Sequence, residues 1–89
     1  MDASMYDINA QLFKALSHPT RLHIVDLIRE GNPCVKVMEA ELGVAQPNIS
    51  QHLSLLRNLG IVAAERDGNQ VCYRIKNKRV LKLLDVLND

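Results

Sequence analysis

Apolar residues recur along this chain with two different periods, and the change of period divides it. In "DINAQLFKAL", Ile8, Leu12, Phe13 and Leu16 stand at helical spacing, and Ser17 with Pro19 closes that helix and opens the next. The second run, "TRLHIVDLIREG", places Leu22, Val25, Leu27 and Ile28 on one face and stops at Gly31, with Pro33 just beyond. A third helix follows in "CVKVMEAELG", with Val35, Met38 and Leu42 directed inward. The fourth, in "QPNISQHLSLLRN", has Pro47 in its first turn and Ile49, Leu53 and Leu56 on one stripe, the i, i+4, i+7 spacing of a buried face. After Gly60 the period falls to two. "IVAAERDGNQVCYRIK" reads as two strands around Asp67, Gly68 and Asn69, a tight hairpin. The last segment, "KRVLKLLDVLND", returns to a helix.

Helices three and four, joined by a short turn containing Gly43, form a helix-turn-helix, and in that unit the second helix carries the readout. Its polar residues are short amides and hydroxyls near the N-terminal end. Base edges in the major groove present donors and acceptors to such groups. Gln46, Asn48, Ser50, Gln51 and Ser54 are therefore expected to face DNA with Pro47 among them, and Arg57 to meet the phosphate backbone. A polar surface that merely faces solvent is the alternative for the helix taken alone. Arg66 and Arg74 on the hairpin are placed to reach phosphates or a flanking minor groove, as a wing does.

The expected fold is thus mainly α with a two-stranded β-wing: four helices, the hairpin and a fifth helix in one domain spanning residues 1–89. The helix-turn-helix covers about 34–59 and the wing about 61–76. The helices at about 3–16 and 78–88 are assigned to dimerisation. Val80, Leu81, Leu83, Leu84, Val86 and Leu87 are too many to bury within one protomer, and Met5, Ile8 and Leu12 offer spare apolar surface on the first helix. A homodimer would set two reading helices about one duplex turn apart on an inverted-repeat operator.

Composition alters this picture in several respects. Eighty-nine residues give a core near the lower limit for independent stability, which again favours a partner subunit. The net charge of +1 is unevenly spread: residues 1–41 carry four basic and six acidic side chains, whereas residues 42–82 carry seven basic and two acidic. Such asymmetry points to a polyanion. No signal peptide or membrane-spanning run is present, so the expected location is the cytoplasm and no membrane partner is implied. Cys34 and Cys72 are too few for a disulfide framework and lack zinc-site spacing, so both are expected to be free thiols in a reducing compartment. His18 and His23 share no helical face and suggest no metal site. No set of nucleophile, base and orienting residue, and no glycine-rich phosphate loop, suggests an enzyme.

The runs "FKALSHPTRLHIVDLI", "QPNISQHLSLLRNLGIV" and "RDGNQVCYRI" resemble the ArsR/SmtB family of bacterial winged-helix repressors over essentially the whole chain. The resemblance implies a homodimeric repressor of double-stranded operator DNA, released by an inducer bound elsewhere, and puts His52 at a position near the DNA. Arsenic, lead and cadmium sensors of the family carry a Cys-Val-Cys-Asp-Leu run where this chain has Cys34, Val35, Lys36, Val37 and Met38. Its zinc and nickel sensors use acidic and histidine residues on the last helix, where this chain has Asn77, Lys78 and Arg79. Neither of these metal sites and no cofactor is therefore expected, and the inducer, a thiol or redox signal or a metal(loid), is left unnamed. Cys34 stands where relatives place a Ser or Thr cap. As a thiolate at a helix N-terminus near Lys36 it is a candidate redox or electrophile sensor, acting with Cys72; a small packed residue is the alternative. A winged-helix protein-interaction module without DNA binding is the competing function.

Overall fold

The computed structural model describes all residues, Met1–Asp89. Five helices and one hairpin follow each other as α1 (Ala3–Leu16), α2 (Pro19–Arg29), α3 (Val35–Leu42), α4 (Gln46–Asn58), β1 (Val62–Asp67), β2 (Gln70–Ile75) and α5 (Lys78–Leu87). The order is the one expected from the alternation of periods. No helix is long and apolar enough to cross a membrane.

Local chemistry explains where the helices begin and end. The Asp2 carboxylate accepts from the amides of Ser4 and Met5 and caps α1. Pro19 opens α2 behind His18, whose Nδ1 accepts from the Thr20 amide at 3.1 Å. Gly43 ends α3 with φ +63°, a left-handed conformation that costs glycine little, and its amide donates to the Glu39 carbonyl at 3.0 Å. The three residues 43–45 then turn the chain into α4.

The core collects one face from each element. Ile24, Met38, Ile49, Leu53, Leu56, Ile61 and Val80 are wholly buried, with Val25, Val62 and Leu84 beside them. Ile24 escaped the helical pattern read from the sequence, yet it is fully enclosed. Leu12 also differs from expectation: it is not spare surface but part of the core, together with Ala15 and Leu16. Phe13, assigned to the inward pattern, instead lies 60% exposed. α1 lies over α2 on the Leu12–Leu16 edge, so a one-residue rotation of the helix exchanges these two side chains.

The wing is an antiparallel pair in register from Val62 opposite Ile75 to Asp67 opposite Gln70. Its two-residue loop has positive φ at Gly68 only, the pattern in which glycine leads a two-residue hairpin turn. The base of the wing is fixed to the helices: the Ile61 amide donates to the Leu56 carbonyl at 2.9 Å, and the Lys76 amide to the Ile61 carbonyl at 2.8 Å. The free edge of β2 is also occupied. Cys34 pairs with Cys72 as an isolated antiparallel bridge, and the Tyr73 amide donates to the Pro33 carbonyl at 2.9 Å.

At that bridge the free-thiol expectation fails. Cys34 and Cys72 are joined by a disulfide, with Cα atoms 4.0 Å apart, so neither carries a thiolate here. The segment before α3 lies alongside β2 and delivers the two cysteines to opposite positions, which no feature of their spacing in sequence indicates. The bridge closes a sequence separation of 38 residues. On chain-entropy grounds a loop of that length contributes about 4 kcal/mol to stability.

Leu53 is central to this packing. Leu53→Ala is expected to lower stability by about 2–5 kcal/mol, the range for a leucine truncated in a closed core. Urea denaturation at fixed protein concentration measures it; a loss below about 1 kcal/mol would mean that α4 is not anchored as described.

Candidate nucleic-acid interface

α4 divides sharply into two faces. Ile49, Leu53 and Leu56 have no solvent exposure, whereas Gln46, Pro47, Asn48, Gln51, Ser54 and Arg57 are all exposed and Ser50 is half-buried. The polar residues expected to read DNA are thus gathered on the open side of one rigid helix. Gln46 Nε2 donates to Ser50 Oγ at 3.0 Å across one turn, which holds two of these side chains in a defined relation. Ala45 supplies no side-chain cap, so the positive end of the helix is left to solvent or to an anion.

His52 lies apart from that polar group. It is half-buried, and its ring centroid is 4.7 Å from that of His18 at the start of α2. Burial of the ring holds its pKa below the ordinary histidine value, and the nearby His18 and Arg21 act in the same direction. The ring thus packs α4 against the start of α2. The sequence separated these two histidines by thirty-odd positions, so only the fold brings them together.

Not all of the basic excess is available to a ligand. Arg74 Nε is paired with the Glu65 carboxylate at 2.8 Å across the exposed face of the wing. Arg79 donates to Asn9 Oδ1 at 2.6 Å, tying α5 to α1. Arg57, Arg66 and Lys76 make no ion pair and are exposed. An exposed pair such as Arg74–Glu65 is worth less than about 1 kcal/mol and yields readily to a phosphate.

Between α4, α3 and the wing lies an open cleft of about 290 Å³. Gln46 and Ser50 face it from α4, Cys34 and Lys36 from the start of α3, and Asn69 and Gln70 from the tip of the wing. Asn69 and Gln70 are not among the DNA-facing residues the sequence indicates, and Lys36 is indicated only as a neighbour of Cys34. They lie on different elements, and no periodic pattern links them.

A polar, exposed second helix behind a glycine turn, followed by a docked two-stranded wing, defines a winged helix-turn-helix transcriptional regulator. The model of the bacterial regulatory protein arsR family matches residues 18–64, from the cap of α2 into β1. The chain belongs to that family. It is 40% identical over 78 residues to the biofilm growth-associated repressor of Xylella fastidiosa, covering 88% of this chain and 68% of that protein. HlyU from Vibrio cholerae N16961 matches the fold with a TM-score of 0.87 at 26% identity, over 98% of this chain and 94% of that one. The homodimeric winged helix-turn-helix DNA-binding domain Mb0332 from Mycobacterium bovis gives a TM-score of 0.84 at 31% identity, over 97% of this chain and 80% of that one.

The depressed His52 pKa sets a pH dependence. The unfolded chain accepts the proton first, so the stability His52 contributes is complete above its unfolded pKa and is lost as pH falls from there through the folded value. Between about pH 7.5 and about pH 5.5, wild-type stability should therefore fall more than that of His52→Gln. Paired denaturation curves check this, and parallel losses in both proteins would contradict it.

Proposed function

We propose that this chain is a transcriptional repressor that binds an inverted-repeat operator as a homodimer through α4 and the wing, and releases it when an inducer binds. The observation that carries this reading is the division of α4: a wholly buried stripe of Ile49, Leu53 and Leu56 on one side, and Gln46, Asn48, Gln51 and Ser54 exposed on the other. Helix amides and hydroxyls held at fixed spacing are suited to base edges, Gln and Asn above all to adenine. Arg66 and Arg74 on the wing and Arg57 at the end of α4 supply the phosphate contacts that set affinity and register. The similarity to a named repressor supports the direction of regulation.

The homodimer has its own support. Phe13, Val86 and Leu87 are 60%, 71% and 66% exposed, far more apolar surface than one small domain needs to leave open. With Leu16, Leu22 and Leu83 they line a groove of about 380 Å³ between α1, α2 and α5. A two-fold arrangement covers this surface on both copies at once, and the similar Mb0332 domain is itself homodimeric.

Three variants test these assignments, with a duplex selected from random oligonucleotides as the DNA probe. Gln51→Ala should reduce the ratio of selected to random DNA binding by about tenfold or more, since a lost bidentate contact is worth about 1–3 kcal/mol and the dimer carries two. Arg66→Ala should weaken binding to both duplexes and flatten the salt dependence of affinity. An unchanged ratio for Gln51→Ala would remove α4 from base readout, and an absence of DNA binding by the wild type would favour a protein-interaction module. Val86→Asp should shift the protein to monomer in sedimentation velocity and weaken DNA binding with it; a variant that stays dimeric would move the interface away from α5.

A further inference from the structure

The disulfide is asymmetric in its surroundings. Cys34 is half-buried and lines the cleft between α4 and the wing, whereas Cys72 is only 6% exposed and does not line it. A small nucleophile entering the cleft therefore reaches Cys34 before Cys72. The two backbones stay adjacent without the sulfurs, through the Tyr73 amide to Pro33 carbonyl bond and the paired positions of Cys34 and Cys72. Opening the bridge thus leaves both sulfurs placed to close it again. Between its two ends the bridge spans all of α3, α4 and β1, the whole of the reading unit.

We propose that the Cys34–Cys72 bridge is a reversible exchange site for low-molecular-weight thiols, attacked at Cys34 through the cleft, and that opening it weakens operator binding. The second half of this proposal rests on the operator reading above. In the first step the thiolate of a small thiol forms a bond to Cys34 Sγ and the Cys34–Cys72 bond breaks. Cys72 leaves as the thiolate and takes up the proton the attacking thiol gave up. In the second step another small thiol attacks the mixed disulfide at its own sulfur, giving the free Cys34 thiol and the oxidised disulfide of the small thiol. Two small thiols lose two electrons in all, the bridge gains them, and the small-molecule disulfide drives the reverse reaction.

The effect on DNA follows from position. The bridged wing is fixed along both edges of β2, by β1 and by the Cys34 segment. The dithiol keeps only the backbone bonds on the second edge, so its wing is less pre-organised for phosphate contact. An adduct on Cys34 goes further, because it occupies the cleft between Gln46 and Ser50 of α4 and Asn69 and Gln70 of the wing.

The test treats the native bridged protein with millimolar reduced glutathione, alkylates the free thiols and maps the peptides by mass spectrometry. Glutathione on Cys34 with alkylation of Cys72, reversed by oxidised glutathione, is expected. A bridge that opens only in denaturant, or an adduct on Cys72, overturns the exchange site. Anisotropy with the selected duplex then compares the bridged protein, the dithiol and the Cys34→Ser, Cys72→Ser double variant. The bridged form should bind about threefold or more tightly than the other two, which should agree with each other. Equal affinity in all three overturns the coupling alone, and no binding in any form overturns the operator reading itself.

Discussion

The sealing of one side of α4 is the constraint on which the remaining structure depends. Ile49, Leu53 and Leu56 enter a core formed by Ile24, Met38, Ile61 and Val62, and none of these residues meets solvent. A helix held by three buried side chains over two turns has a fixed rotation about its own axis. The polar side is therefore fixed as well, and its amides and hydroxyls project from a rigid support rather than from a loop. Close packing makes this all-or-none: a helix rotated by one residue would bury Ser50, Ser54 and Arg57, or Asn48 and His52, without partners and expose Leu53, at a cost of several kcal/mol.

The wing depends on the same arrangement. It starts at Ile61 and Val62, which are part of the core, and returns through Ile75 to Lys76, whose amide bonds back to Ile61. β2 is then held on its second edge by the residues that lead into α3. The reading helix and the wing are in this way attached to one frame, and contacts made by one constrain the other. Electrostatics is a secondary influence. Glu65 and Asn9 engage two of the arginines that make residues 42–82 basic, so the cations there without a side-chain partner are Arg57, Arg66, Lys76, Lys78 and Lys82.

Elements, their order and the two faces of α4 were legible in the sequence because they are local properties. Helical and strand periods differ, glycine and proline mark the breaks, and a stripe at i, i+4, i+7 identifies its own buried side. What periodicity does not give is the partner of each face. Leu12 and Phe13 both fit a helical stripe, and only the position of α2 decides that the first is buried and the second exposed. The same limit hid the pairings of His18 with His52, Asn9 with Arg79, and Cys34 with Cys72. Each joins residues far apart in sequence, and two cysteines on separate elements carry no local sign of proximity. The cleft between α4 and the wing was hidden for the same reason, since three elements contribute to it.

Nuclear magnetic resonance of the isotope-labelled protein, titrated with a duplex selected from random oligonucleotides, tests the central claim most directly. The account predicts that the amide shifts that move most fall within residues 46–57 of α4 and 64–71 of the wing, with the buried Ile49 and Leu53 moving less than Gln46, Asn48 and Gln51. Shifts centred on α2 or on the exposed face of α1, with α4 and the wing unmoved, would contradict it.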